Sequence, residues 1–459
     1  NVLHGQDGSA EQGAEFGAML DNLQKRKAGG VEVVENVPTT ISYLTYTMPR
    51  AKIKLKLSEV DVNGMVFSAV RDDEWTDLPM RPSGDKKPRV LDYPTTPATF
   101  AFAAVAAQCA RIWKTLDPTF ANECKTAAVR AWNAGLAHPD IYRYGEYSDG
   151  QGTIIRAINQ GGGAYADTIA TDEQRWAALE LYLSESAVGV PDSAPAQAYL
   201  KAFADSSALA GESHKLAFLD FNYAQGFTWK HTRNLGLLSL LANGRDAEIV
   251  AKMAKVSTIA VRQPSVSLAK KATEYVGFIS ESAFGAPHDK AKPFNWASNA
   301  DIANQAGMLL QAAKYAPDTT QRRGFLMAAR RTMSYLLGNN PLGKSYVTGY
   351  GTNPVRNPHH RFWAKHKDIA FPPAPPGMLV GGPNAVWDGT LAGAEYIGGS
   401  WTLKNNRDAE KYMTEIMPNC MPAGGIGISC YQDDVGLYMT NEVAINWNAA
   451  LFWAASFLR

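Results

Sequence analysis

Near its C-terminal end the chain gathers Tyr431, Asp433, Tyr438, Asn441, Glu442, Trp447 and Asn448 into one short segment. Burial among aromatic groups penalises a charged carboxylate and raises its pKa. A general acid working near neutral pH requires that shift, and Glu442 is the candidate. The same residues also fit a plainer reading. Asp434 or Asn441 then caps the following helix, and Glu442 is a first-turn acid favoured by the helix dipole.

A second cluster is Asn357-Pro358-His359-His360-Arg361, followed by Phe362 and Trp363. Adjacent histidines do not share a face of a helix or a strand, and no nearby acidic or cysteine set completes a metal site. Imidazole and guanidinium beside Trp suit the binding of sugar hydroxyls, and flat aromatic faces stack on sugar rings. The preceding Gly-containing stretch, Ser345 to Asn353, can bring backbone close to a ligand. Gly161-Gly162-Gly163 lacks the spacing and the Lys-Ser/Thr of a phosphate loop, and reads as a tight loop presenting Tyr165 and Asp167. The Pro-rich run 372–383 reads as a rigid extended rim.

These residues need a frame. Helical patterns run over 98–114, 118–134, 172–187, 194–206, 228–243, 299–315, 319–338 and 441–458, the last apolar nearly all round and so expected to be buried. Long loops, 148–171 and 339–398, separate them, as in a rigid scaffold carrying its site on loops. The first residues differ. Lys52, Lys54 and Lys56 alternate with Ile53, Leu55 and Leu57 in the period of a strand, with lysines blunting an edge, and 31–37 is also strand-like. Two segments are therefore expected, 1–64 and 65–459.

Composition limits the partners. The 459 residues are 46% apolar and 19% charged, enough for a sizeable core. A net charge of +1 with no basic stripe argues against nucleic acid, and no apolar run reaches membrane-spanning length. Of four cysteines, Cys420 and Cys430 are close enough in sequence for a loop disulfide, which fits an oxidising, extracellular or periplasmic compartment.

Taken together, these motifs resemble glycoside hydrolase family 9, the inverting cellulases. One signature of the family is matched by Ser345, Val347, Thr348, Gly351, Asn353, Pro358, His359 and Arg361. The second is matched by Tyr431, Asp433, Tyr438, Glu442, Ala444, Asn448 and Ala449. GGGAYAD at 161–167, WASNAD at 296–301 and LVGGPN at 379–384 also look like the family. The resemblance implies an all-α (α/α)6 toroid with an open cleft and an endo-β-1,4-glucanase. Glu442 would be the proton donor, with Asp433 as a supporting catalytic carboxylate. His359, His360, Arg361 and Tyr438 would bind substrate. It implies a monomer that needs no cofactor for chemistry, and it admits structural calcium without naming ligands. The family's base motif, Gly-Gly-Trp-Tyr-Asp-Ala-Gly-Asp, has no clear counterpart, the nearest text being His4-Gly5-Gln6-Asp7-Gly8. Inversion needs such a second carboxylate. Two alternatives therefore stand beside the endoglucanase. One is an exo-acting relative releasing glucose or glucosamine units, with Asp433-Asp434 recognising an amino sugar. The other is a non-catalytic glucan-binding protein.

Overall fold

The computed structural model describes residues 40–47, 54–61, 63–72, 75–91, 94–142, 146–148, 154–156, 163, 165, 167, 169–209, 226–256, 263–282, 284, 294, 296–384, 394–397, 400–403 and 427–458. Ten helices carry these residues: α1 (Thr96–Trp113), α2 (Pro118–Ala137), α3 (Thr171–Glu185), α4 (Ala194–Leu209), α5 (Arg233–Ala242), α6 (Asp246–Val256), α7 (Pro264–Glu281), α8 (Ser298–Lys314), α9 (Thr319–Leu336) and α10 (Ile445–Ser456). A single helical turn, Tyr438–Asn441, precedes α10. The strands form four separate antiparallel two-stranded ribbons. They pair β1 (Thr40–Thr47) with β2 (Lys54–Asp61), β3 (Val70–Asp72) with β4 (Arg89–Leu91), β5 (Glu146–Ser148) with β6 (Ile154–Arg156), and β7 (Ala394–Ile397) with β8 (Ser400–Leu403). The strand expected around Lys54 to Leu57 is thus the start of β2, while residues 31–37 and Asp7 lie outside the described residues.

Local chemistry sets the helix starts. Thr95, Asp117 and Asp318 each accept a hydrogen bond from a first-turn amide, of Ala98, Phe120 and Gln321 respectively, the usual remedy for unpaired helix N–H groups. Proline opens α1, α2 and α7, where its missing N–H costs nothing.

Packing is that of an all-α toroid of helix pairs. α1 packs on α2 and α3, α3 on α4 and α5, and α8 on α7, α9 and α10. The α5–α8 step is closed by Tyr315 donating to the Leu241 carbonyl at 2.7 Å and Asn304 donating to that of Phe227 at 2.9 Å. From Ser298 to Ala313 every residue of α8 except Asp301 is buried. An added Cβ on Gly307 would come within 2.1 Å of the Trp453 ring, so α8 and α10 approach as closely as they do because residue 307 has no side chain. Between α1 and α3, the buried Glu180 accepts from Arg111 at 2.5 Å, from Trp176 Nε1 at 3.2 Å and from Ser239.

Two expectations are corrected. The last helix begins at Ile445 rather than 441, which leaves Glu442 outside it. Nor is that helix buried all round: Trp447, Ala450 and Ala454 are inside, whereas Ile445 is 52% and Phe452 74% exposed. Among the described helices its principal partner is α8, which covers one face only. No described helix is long and apolar enough to cross a membrane.

Candidate active site

Glu442 lies in an extended stretch between the Tyr438–Asn441 turn and α10, with φ −55° and ψ 152°. Its backbone is fixed from both sides. The Gly381 amide donates to the Glu442 carbonyl at 2.9 Å, and the His359 amide to that of Asn441 at 2.8 Å. Asn448 then clamps Leu379, accepting its amide at 2.8 Å. Gly382 adopts φ +93° against Asn299, where a Cβ would meet the amide group at 2.3 Å, so the 379–384 segment can lie flat on the start of α8. The two sequence signatures thus meet in a short backbone bridge, His359 with Glu442, and the 379–384 segment joins the second through Val380 and Val443.

Burial pushes the Glu442 carboxyl up to about 7. The Trp296 indole N–H, donating to Oε2 at 3.1 Å, and the Arg361 charge both pull the other way and only partly offset it. Desolvation dominates because the neighbours are aromatic. The Tyr438 ring lies between Trp296 and His359, with centroids 5.8 and 5.9 Å away. Across the site, Tyr165 packs edge-on against Trp229 at 5.2 Å. The Tyr165 hydroxyl is pushed up to about 12, first by enclosure and then by the Glu442 carboxyl, which puts it within electrostatic reach of the acid although part of its ring is exposed. Its φ of +37° is a strained value for a non-glycine residue.

His359 Nδ1 donates to the Val435 carbonyl at 2.6 Å, which leaves Nε2 to accept from Arg361 at 3.2 Å. Burial and the Arg361 charge lower its pKa to about 4, so it is neutral over the working range. Arg361 donates through Nε to Thr76 Oγ1 at 3.1 Å and lies over the exposed Trp75 ring at 5.4 Å. The segment around Trp75 therefore belongs to the site.

Two predicted site residues are placed differently from the rest. His360 is buried, stacks on Trp363 at 4.3 Å and accepts the amides of Phe362 and Trp363 through Nδ1. Its pKa falls to about 3 through burial, then through the Arg361 charge. It shapes the loop and faces inward. Asp433 accepts the amides of Arg356 and Asn357 at 3.0 and 2.9 Å and pairs with Lys344 at 2.9 Å. These contacts turn its carboxylate towards the first signature. The sequence reading did not single out Trp296, Trp75, Thr76 or Trp229. Trp296 opens the WASNAD stretch, and that was the available signal.

Among the described residues no three His, Cys, Asp or Glu side chains converge as a metal cluster. Asp172 and Glu173, buried at the start of α3, nonetheless each keep one carboxylate oxygen without a hydrogen bond. Thr232 donates to the other oxygens, to Glu173 at 3.0 Å and by its amide to Asp172 at 2.8 Å. Desolvation, then the charges of Asp172 and Asp167, hold Glu173 well above the carboxylate range. A proton or a hard cation relieves that crowding, and an all-oxygen donor set fits calcium. Chelator treatment is expected to lower Tm by several degrees, with calcium restoring it and Asp172→Asn abolishing the response. An unmoved melting curve would exclude the ion. Cys430 is disulfide-bonded, and Cys420, its expected partner, lies outside the described residues.

The family model described as glycosyl hydrolase family 9 matches residues 34–455. A cellulose 1,4-beta-cellobiosidase of Acetivibrio thermocellus is 34% identical over 98% of this chain and 45% of its own length. Endoglucanase C of Cellulomonas fimi is 31% identical over 88% of this chain and 31% of its own. A xyloglucan-specific endo-beta-1,4-glucanase of Bacteroides ovatus is 31% identical over 83% and 54%. The chain thus spans about half or less of the length of these relatives. Among solved structures, the family 9 endoglucanase J30 superposes with a TM-score of 0.62 at 26% identity, covering 86% of this chain and 60% of that one. A thermostable endoglucanase from Alicyclobacillus acidocaldarius gives 0.61 at 25% over 86% and 61%.

Proposed function

Because the chain belongs to glycosyl hydrolase family 9, we propose that it hydrolyses β-1,4-glucan within the chain, with inversion and with Glu442 as general acid. The observation that carries this reading is the Glu442 carboxyl, held near pKa 7 by burial beside Trp296 and Arg361. At neutral pH a large share of it is protonated and able to give its proton to the leaving glycosidic oxygen. As the proton leaves, the Trp296 N–H and the Arg361 charge stabilise the carboxylate that forms, and this favours the transition state over the ground state. Trp75, Trp229, Tyr165 and Tyr438 offer aromatic faces to successive sugar rings. His359, locked neutral, holds Arg361 in place. Inversion also needs a carboxylate to activate water from the opposite side. Asp7 is the sequence's candidate, and it lies outside the described residues. Calcium between Asp172 and Glu173 would be structural. The disulfide-bonded Cys430 supports a secreted enzyme.

The test is carboxymethyl-cellulose followed by viscosity and by reducing ends, with the anomer of the fresh product read by NMR. Viscosity should collapse while few reducing ends have appeared, and the first product should be the α-anomer. The likeness to a cellobiosidase favours a second, exo-acting reading. Cellobiose release with viscosity preserved would establish it, and glucan binding without release would indicate a binding protein.

The acid also fixes a pH dependence. Glu442 is active when protonated, so kcat/KM should fall as pH rises through about 7. In Trp296→Phe the bond that lowers this pKa is gone, and the alkaline limb should move to higher pH. A limb that stays in place would remove Trp296 from control of the acid.

A further inference from the structure

The Sγ atoms of Cys109 on α1 and Cys124 on α2 lie 2.8 Å apart, both partly exposed, 15 residues apart in sequence. They face each other across the α1–α2 hairpin, and among the described helices α2 packs chiefly on α1. Neither sulfur contributes to the site around Glu442. Elsewhere in the same chain Cys430 is disulfide-bonded, a pairing that an oxidising compartment favours.

We propose that Cys109 and Cys124 form a redox site that takes a low-molecular-weight disulfide as oxidant and closes into a covalent staple between α1 and α2. One thiolate attacks a sulfur of the small disulfide, expelling one thiolate and leaving a mixed disulfide on the protein. The second cysteine sulfur then attacks the protein-bound sulfur and expels the other small thiolate. Two protein thiols lose two electrons and two protons, and the small disulfide is reduced to two thiols. Closing this loop restricts the unfolded chain and so favours the folded one. The consequence for the toroid is specific. α1 carries Arg111, which is paired with the buried Glu180, and the staple fixes α1 to α2 about half a turn from that pair. Burial, then the adjoining Cys109 sulfur, push the Cys124 thiol up to about 12. Thiolate is therefore scarce at neutral pH, and closure should quicken as pH rises.

The experiment uses the full chain, treated with oxidised glutathione at pH 8, then denatured, alkylated and mapped by mass spectrometry. A cross-linked peptide pair joining Cys109 to Cys124, lighter by two hydrogens than the two thiol peptides, is expected. Tm should rise by several degrees over protein in which alkylation beforehand finds both thiols free. Cys109→Ser should lose both the cross-link and the redox-dependent shift while keeping its far-UV circular dichroism. Quantitative alkylation of both cysteines after oxidation, or glutathione retained on one of them, would overturn the site. A cross-link formed without a rise in Tm would overturn the staple.

Discussion

Glu442→Gln should lower glucan hydrolysis by about 10²- to 10⁴-fold, the usual loss when a positioned general acid is removed. The amide oxygen still accepts from Trp296, so binding should survive, and the loss should fall on kcat rather than KM. The same variant should be more stable than the parent, increasingly so as pH rises from about 4.5 to about 7. The folded carboxyl titrates at about 7 against a reference of 4.5. Below 4.5 it is neutral in both the folded and the unfolded chain, and the substitution changes little. Above 4.5 the unfolded chain ionises first, and folding loses stability until pH passes 7. That interval corresponds to an upper bound of about 3 kcal/mol. Thermal melts of both proteins at pH 4 and pH 8, with turnover at neutral pH, check both parts. A variant keeping more than about a tenth of the parent's activity would exclude Glu442 as the acid.

Arg111→Leu should cost about 3–5 kcal/mol of stability, the range for breaking a buried ion pair from one side. Glu180 has no exposed side-chain surface. Burial already raises its pKa, although Arg111, Ser239 and Trp176 pull it down. Without the guanidinium the charged form has lost its main partner, so the deficit should widen as pH rises. Replacing both residues, as Arg111→Met with Glu180→Leu, should recover much of the loss, since no unpaired charge then remains. Urea midpoints of the two variants decide it. Equal losses would mean that the packing of the arginine stem, and not the charge, matters.

Much of this architecture was legible in the sequence because its causes are local. Helical spacing and caps at Thr95, Asp117 and Asp318 mark α1, α2 and α9 to within a few residues. α7 was equally readable in principle: Leu268, Ala272, Tyr275 and Ile279, four of its buried residues, recur at helical spacing. The site was legible as a set of residue types, and less so as directions. Nothing in the order His359-His360-Arg361 tells which imidazole turns inward, because stacking on Trp363 decides it. Asp433 sits among aromatics in the sequence, yet its contacts are amides some 76 residues away. Trp296 reaches Glu442 across 146 residues, and no local pattern reports such a meeting.

The grip of Asp433 on the amides of Arg356 and Asn357 also sets an order of assembly. The loop carrying His359 and Arg361 leaves the ribosome well before its anchor does, and that anchor is coded close to the end of the catalytic region. Until Asp433 is made, the Arg356 and Asn357 amides lack the acceptor that they have in the fold. The 433–442 stretch supplies the carboxylate, the Asn441 carbonyl and the Glu442 carboxyl together. Long-range closures of this kind are slow steps. A chain cut short before residue 433 would lack both the anchor of the His359–Arg361 loop and Glu442.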